Sequence, residues 1–233
     1  MSLANGRTYL AIPGPSVVPD AVLRAMHRAS PNIYEGELPE MMPDLTRDLK
    51  RVARTDGHVA IYICNGHGAW EAALANTVAA GEKVLVLATG FFAMAWSRIA
   101  EARGIEVDVL EFANGGTFDL ARVEDALKAD TDHAYKAVMA VHVDTSSSNR
   151  NEFAPLRNLL DDLNHPALLM ADCIAAMGCD RFEMDAWGVD VAMTGSQKGL
   201  MCPPGLGFVF FNDKAAEARK HLRQVSTYWD WTQ

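Results

Sequence analysis

Apolar and polar positions follow two rhythms along the chain. Runs of mostly apolar residues recur at 59–64, 83–88, 105–111, 136–143, 167–171, 189–194 and 206–211. Each is short and bounded by polar or glycine-containing segments, as strands covered on both faces are. Between them the spacing turns helical. Met41, Leu45, Leu49 and Val52 lie on one face of a helix. Further helices are expected over about 68–79, 91–103, 153–164 and 213–224. Asp119 reads as the N-cap of a helix running through Lys128. Pro19 and Asp20 open a first helix through about Ser30, with proline at the start, where its missing N–H is tolerated.

Strands alternating with helices predict an α/β fold. It should be a three-layer αβα arrangement around a mostly parallel, mixed sheet of about seven strands, with right-handed crossovers. The sequence contains no internal repeat and no linker-like stretch. It reads as one large domain over residues 20–233, preceded by an N-terminal segment over residues 1–19.

Composition narrows the function classes. Apolar residues make up 49% and charged residues 22%, which excludes disordered and low-complexity readings. The formal charge of −9 makes nucleic acid a poor partner. No apolar run approaches the roughly 18 residues of a membrane span. Pro13, Pro15 and Pro19 break the short apolar stretch after Arg7, so the start does not read as a signal peptide. Cys64, Cys173, Cys179 and Cys202 form no C-x-x-C pair and the histidines no H-E-x-x-H motif, so no metal is expected. The thiols are expected to be reduced, in a cytoplasmic protein.

Ligands of such sheets sit at the carboxyl ends of the strands, so the residues after each strand carry the candidate chemistry. Asn65-Gly66-His67-Gly68 leads from a strand into a helix. It is either an anion site, built of free N–H groups and the helix dipole, or a tight turn. Asp172 follows an apolar strand and suits a cationic ligand, a metal or a helix cap. Lys198 lies in a loop between two apolar strands. It either points at water or, desolvated, bonds a carbonyl. Taken together, an anion cradle, a carboxylate and a lysine match pyridoxal 5'-phosphate, which has a phosphate, a basic ring nitrogen and an aldehyde. Phe92 could cover its ring and Thr145 could bond its ring hydroxyl. Cys173, Cys179, Met41 and Met42 read as packing residues, and Trp96 and Trp187 as core or interface.

Segments 170–178, 184–190 and 194–207 resemble class V pyridoxal-phosphate aminotransferases, nearest the alanine–glyoxylate and serine–glyoxylate branch. The most specific feature is Ser196-Gln197-Lys198 followed by Pro203-Pro204-Gly205. The stretches 66–72 and 12–16 fit the same branch. The resemblance implies the fold type I large domain and a homodimer. It makes Lys198 the Schiff-base lysine and Asp172 the partner of the ring nitrogen. Phe92 and Ile174 match the ring's two faces, Thr145 a hydroxyl beside it, and Gly66, His67 and Gln197 phosphate contacts. It gives His142 no catalytic role. The implied reaction is ping-pong transamination between a small amino acid of alanine or serine type and a 2-oxo acid, glyoxylate or pyruvate. Another reaction of the same cofactor, of lyase or desulfurase type, and a cofactor-binding piece without turnover are the alternatives. The family's small C-terminal domain, which carries the arginine for the substrate carboxylate, has no counterpart in these residues. Tyr34-Glu35-Gly36 stands where this branch often has a His-Arg pair, which leaves the substrate open. The aromatic run Tyr228, Trp229 and Trp231 is expected to form a contact surface for a further domain or a partner subunit.

Overall fold

The structure, a computed structural model, describes residues 10–112 and 115–233. Of the expected N-terminal segment, residues 1–9, Arg7 among them, lie outside the described residues. The elements are α1 (Asp20–Met26), α2 (Glu37–Ala53), β1 (His58–Ile63), α3 (Gly66–Ala75), β2 (Lys83–Ala88), α4 (Phe91–Ala102), β3 (Glu106–Glu111) and α5 (Leu120–Ala129). There follow β4 (Tyr135–Val141), β5 (Val143–Asp144), β6 (Asn149–Arg150), α6 (Phe153–Asp162), β7 (Leu168–Asp172), β8 (Val191–Gly195), β9 (Leu206–Phe211) and α7 (Asp213–His221).

The main sheet has seven strands in the order β1-β9-β8-β7-β4-β2-β3. β9 is antiparallel to both its neighbours, and the other pairs are parallel. All strands but β9 therefore point the same way, and six loops leave from one edge. The central strands are buried on both faces, which is why they read as continuous apolar runs. Alternate residues feed two cores. On one face Leu85, Leu87, Leu169 and Phe210 pack with Leu49 of α2, Val123 of α5 and Leu156 of α6. On the other Val84, Val86, Met170 and Val209 pack with Trp70 and Leu74 of α3, Trp96 of α4 and Ala215 of α7. This is the expected three-layer α/β fold.

Two expectations fail locally. Met41, Met42, Leu45 and Val52 are exposed, and within α2 only Leu49 and Ala53 are buried. Cys179 is exposed too, since the chain turns outward at Gly178, whose φ is +84°. The aromatic run at 228–231 packs in part on the domain, while Tyr228 stays 55% exposed. Trp231 stacks on Phe211 with centroids 3.9 Å apart. Tyr62 Oη and Asn76 Nδ2 both donate to the Trp229 carbonyl, at 2.8 and 2.6 Å. Arg219 grips Asp230 through two nitrogens, at 3.0 and 2.6 Å, and holds its carboxyl well below the usual range. The buried Asn76, at the C-cap of α3, donates to the Ala72 carbonyl within its own helix and meets the returning backbone through that Trp229 carbonyl and the Trp231 N–H.

Candidate functional site

The loops leaving the common edge of the strands enclose a cavity of about 170 Å³. Its lining includes Gly66, His67, Phe92, Thr145, Asp172, Ile174, Gln197 and Lys198. All eight residues singled out from the sequence thus meet in one place, although they come from five segments. A larger, open groove of about 1150 Å³ lies at the opposite end of the strands, around Tyr135, Leu168 and Lys214. It lies at the wrong end of the sheet for the ligand crevice of an α/β fold. The smaller cavity falls below the few hundred Å³ usual for larger ligands and suits a single-ring molecule.

The first turn of α3 forms one wall. Asn65 caps the helix, its Oδ1 accepting the His67 and Gly68 N–H groups at 3.1 and 3.2 Å. A bound anion would share those donors. A Cβ at Gly66 would lie 2.5 Å from Ile174 Cδ1, so the Ile174 side chain would have to shift off the wall. His67 sits edge-on to Trp70, and Trp70 edge-on to Phe92, so the wall is largely aromatic.

Asp172 ends β7 at the floor. It is 3% exposed, and its Oδ1 accepts the Ile174 N–H at 2.8 Å. Burial pushes its carboxyl up to about 7. The Ile174 N–H, the nearby Trp70 indole and Lys198 pull it back only in part, while the Asp144 charge adds to the rise. The Trp70 indole N–H is buried and closes no hydrogen bond of normal geometry; its field still favours the charged form. Such a carboxylate gains most from a cationic N–H in the cavity. Gln197 Oε1 is likewise buried without a partner.

Lys198 follows β8 through Ser196, which is fixed by its Oγ–H donating to the Pro203 carbonyl at 2.6 Å. The side chain is half-buried and lines the cavity. The donor set therefore fits pyridoxal phosphate: an amine, a desolvated carboxylate, an aromatic and an aliphatic face, a hydroxyl, and N–H groups at a helix start.

His142 at the end of β4 faces the other core. It lies against the rings of Phe153, Phe182 and Trp187, and burial pushes its pKa down. The geometry agrees with giving it no part in the site.

Asp144 went unrecognised in the sequence, yet it organises the cavity's rim. It is fully buried. Its Oδ2 accepts the Phe92 and Ala93 N–H groups at 2.9 and 3.3 Å, and its Oδ1 the Ser146 N–H and Oγ–H at 3.0 and 2.6 Å. The N-cap of α4 is Gly90, which has no side chain to cap with, so a carboxylate from β5 caps the helix instead. One residue thus fixes Phe92 and Thr145 relative to each other. The signal that flagged Asp172, a carboxylate directly after an apolar strand, was present here as well. Asp144→Ala should lower stability by about 2–4 kcal/mol, since it strands several buried donors. It should also weaken pyridoxal phosphate binding about tenfold through the displaced Phe92. Urea unfolding and cofactor titration by tryptophan fluorescence measure the two effects.

The aminotransferase class V family model matches residues 8–230. The serine–glyoxylate aminotransferase of Methylorubrum extorquens is 38% identical over 232 residues, 97% of this chain and 58% of that protein. The L-aspartate–glyoxylate aminotransferase of Paracoccus denitrificans is 36% identical over 220 residues, 94% of this chain and 56% of that protein. An aspartate aminotransferase of Thermus thermophilus, belonging to subgroup IV, superposes with a TM-score of 0.87 at 31% identity, over 97% of this chain and 62% of its own. The chain spans just over half the length of the curated relatives it matches. With its strand order, its loop lysine and its buried strand-end carboxylate, it belongs to the class V aminotransferases, a family that works with pyridoxal phosphate.

Proposed function

We propose that the chain forms the large cofactor-binding domain (residues 20–233, with 1–19 as its N-terminal segment) of a glyoxylate-type aminotransferase. The reaction moves an amino group between a small amino acid of alanine or serine type and a 2-oxo acid, glyoxylate or pyruvate. The observation that carries this reading is the convergence of Lys198, Asp172 and six supporting residues on one cavity. Relatives named for serine and aspartate as donors share glyoxylate as acceptor, so the acceptor is better supported than the donor. A desulfurase-type reaction draws no support, because no cysteine is among the residues lining the cavity.

Bound here, pyridoxal phosphate supplies an aldehyde that bonds an amine and a ring that takes up an electron pair. The residues do the rest. Asp172 keeps a proton on the ring nitrogen, and that cationic partner restores its own charge. Phe92 and Ile174 hold the ring between an aromatic and an aliphatic face. Thr145 donates to the ring hydroxyl. Gly66, His67 and Gln197 receive the phosphate at the positive end of α3. The Lys198 amine would hold the cofactor through its aldehyde and, when free, would serve as the base and acid that moves the proton at the substrate's α-carbon.

A homodimer is part of the proposal, supported by the uncovered stripe Met41, Met42, Leu45 and Val52 on α2. Four free thiols support a reducing, cytoplasmic setting, and among the described residues no helix is long and apolar enough to cross a membrane.

The test is direct. Pyridoxal phosphate added to the purified protein should give a visible absorbance band. Borohydride should then fix one cofactor on the peptide containing Lys198. Alanine or serine should bleach the band before reduction, and glyoxylate should restore it. A cofactor trapped on another lysine, or none trapped, would overturn the assignment. A trapped cofactor whose band no amino acid bleaches would leave binding and remove transamination.

A further inference from the structure

Residues 12–16 carry a Pro-Gly-Pro that the chemistry above leaves without a task. In the fold this turn crosses the Lys198 loop, far away in the chain. Lys198 Nζ donates to the Pro13 carbonyl at 3.0 Å. The Ser16 N–H donates to the Gln197 carbonyl at 2.8 Å, and the Ser16 Oγ–H to the Lys198 carbonyl at 2.7 Å. The turn is therefore tied to the backbone of the lysine and also to the tip of its side chain. Gly14 lies between these ties with φ at +147°. A Cβ there would stand 2.6 Å from Lys198 Nζ, 2.9 Å from Cδ and 3.0 Å from Cε. A methyl group at this position and the lysine tip cannot both keep their places.

We propose that the turn Pro13–Ser16 is a strap that positions the Lys198 amine. The Pro13 carbonyl holds the amine, Ser16 fastens the strap to the 197–198 backbone, and Gly14 leaves the room the amine occupies. A lysine head on a four-carbon stem is a mobile point charge. A carbonyl that accepts one of its N–H groups confines it near the mouth of the cavity, which shortens its search for an aldehyde. The consequence for catalysis rests on the reading of Lys198 as the cofactor-bonding amine; the geometry of the strap does not.

The first readout needs no cofactor. Reductive methylation of the cofactor-free protein with formaldehyde and a borohydride is followed by peptide mass at Lys198, with the exposed Lys136 as internal reference. Gly14→Ala should turn the amine out and speed methylation of Lys198 about threefold or more, the scale of one lost hydrogen bond. Gly205→Ala is the control: its φ is +141°, close to that of Gly14, but a Cβ there meets nothing within 4 Å. It carries the same backbone strain and should methylate Lys198 at the parent's rate. Ser16→Ala removes one tie and should fall between the two. In parallel, half-saturation of the borohydride-trapped adduct at Lys198 should need about tenfold more pyridoxal phosphate in Gly14→Ala, and no more than the parent in Gly205→Ala. Parental methylation of Lys198 in Gly14→Ala, or an equal change in Gly205→Ala, overturns the strap. The expected methylation pattern in a protein that traps no cofactor at Lys198 upholds the strap and removes the functional reading instead.

Discussion

Lys198→Ala is expected to lose the visible band with pyridoxal phosphate and to lower transamination by about 10³-fold or more, the scale of a lost acid–base group compounded by a lost covalent bond. Lys198 supplies the one amine among the residues lining the cavity. His67 also lines it, but stands edge-on to Trp70 at the start of α3, on the wall assigned to the phosphate. The variant should still bind the cofactor, because the helix start, Phe92, Ile174 and Asp172 remain. Quenching of the Trp70 fluorescence on cofactor addition should therefore persist while the band is absent. Lys198→Arg separates charge from nucleophilicity. Arginine keeps the positive charge near Asp172, yet its guanidinium stays protonated and bonds no aldehyde. It should fail as completely as alanine. Folding should be almost untouched, within about 1 kcal/mol, since the lysine is half-buried and its side chain makes one hydrogen bond. Retained turnover in the arginine variant would mean that Lys198 acts through its charge alone, and the assignment would fall.

Such a test could be designed from the sequence because the site sits where local pattern is most legible. Two strands, β2 and β9, have the bounds their apolar runs predict, since both faces of each are buried. Strand ends then locate the chemistry. The misses have a common cause, which is contact between distant segments. β4 stops at Val141 instead of Val143, because the chain turns there into a separate hairpin, β5 with β6. Asp144 in that hairpin caps α4, whose own N-cap is a glycine, and nothing local to Gly90 says so. The α2 stripe has flawless helical spacing, but spacing alone cannot say whether anything covers it. The aromatic run at 228–231 packs on the domain through Asn76 and Arg219, and a polar residue at the C-cap of α3 gives no hint of its partner. The Pro-Gly-Pro turn was visible as a motif, while its contact with Lys198 spans the length of the chain.

Asp172→Asn should separate the two demands on the cavity floor. Without cofactor the variant should be the more stable protein above neutral pH. The parent's carboxyl moves from an ordinary value near 3.8 to about 7 on folding. Below about pH 4 it is neutral folded or unfolded, and the substitution changes little. Between about pH 4 and 7 the unfolded chain releases the proton while the folded chain retains it, so the parent loses stability as pH rises. Above 7 the penalty is constant, on the order of 4 kcal/mol. Asparagine removes that penalty and keeps an oxygen for the Ile174 N–H. Urea midpoints measured from pH 4 to 8 should therefore coincide at the acid end and diverge in favour of the variant. Turnover should move oppositely, falling about 10²–10³-fold, the scale of removing one preorganised charge from a buried site. Saturating cofactor should return much of the lost stability to the parent, because the ring nitrogen supplies the cation that the buried carboxylate lacks. A carboxylate kept for packing would behave differently: its loss would destabilise the cofactor-free fold at every pH. That outcome would remove Asp172 from the site and leave Lys198 with no charged partner there.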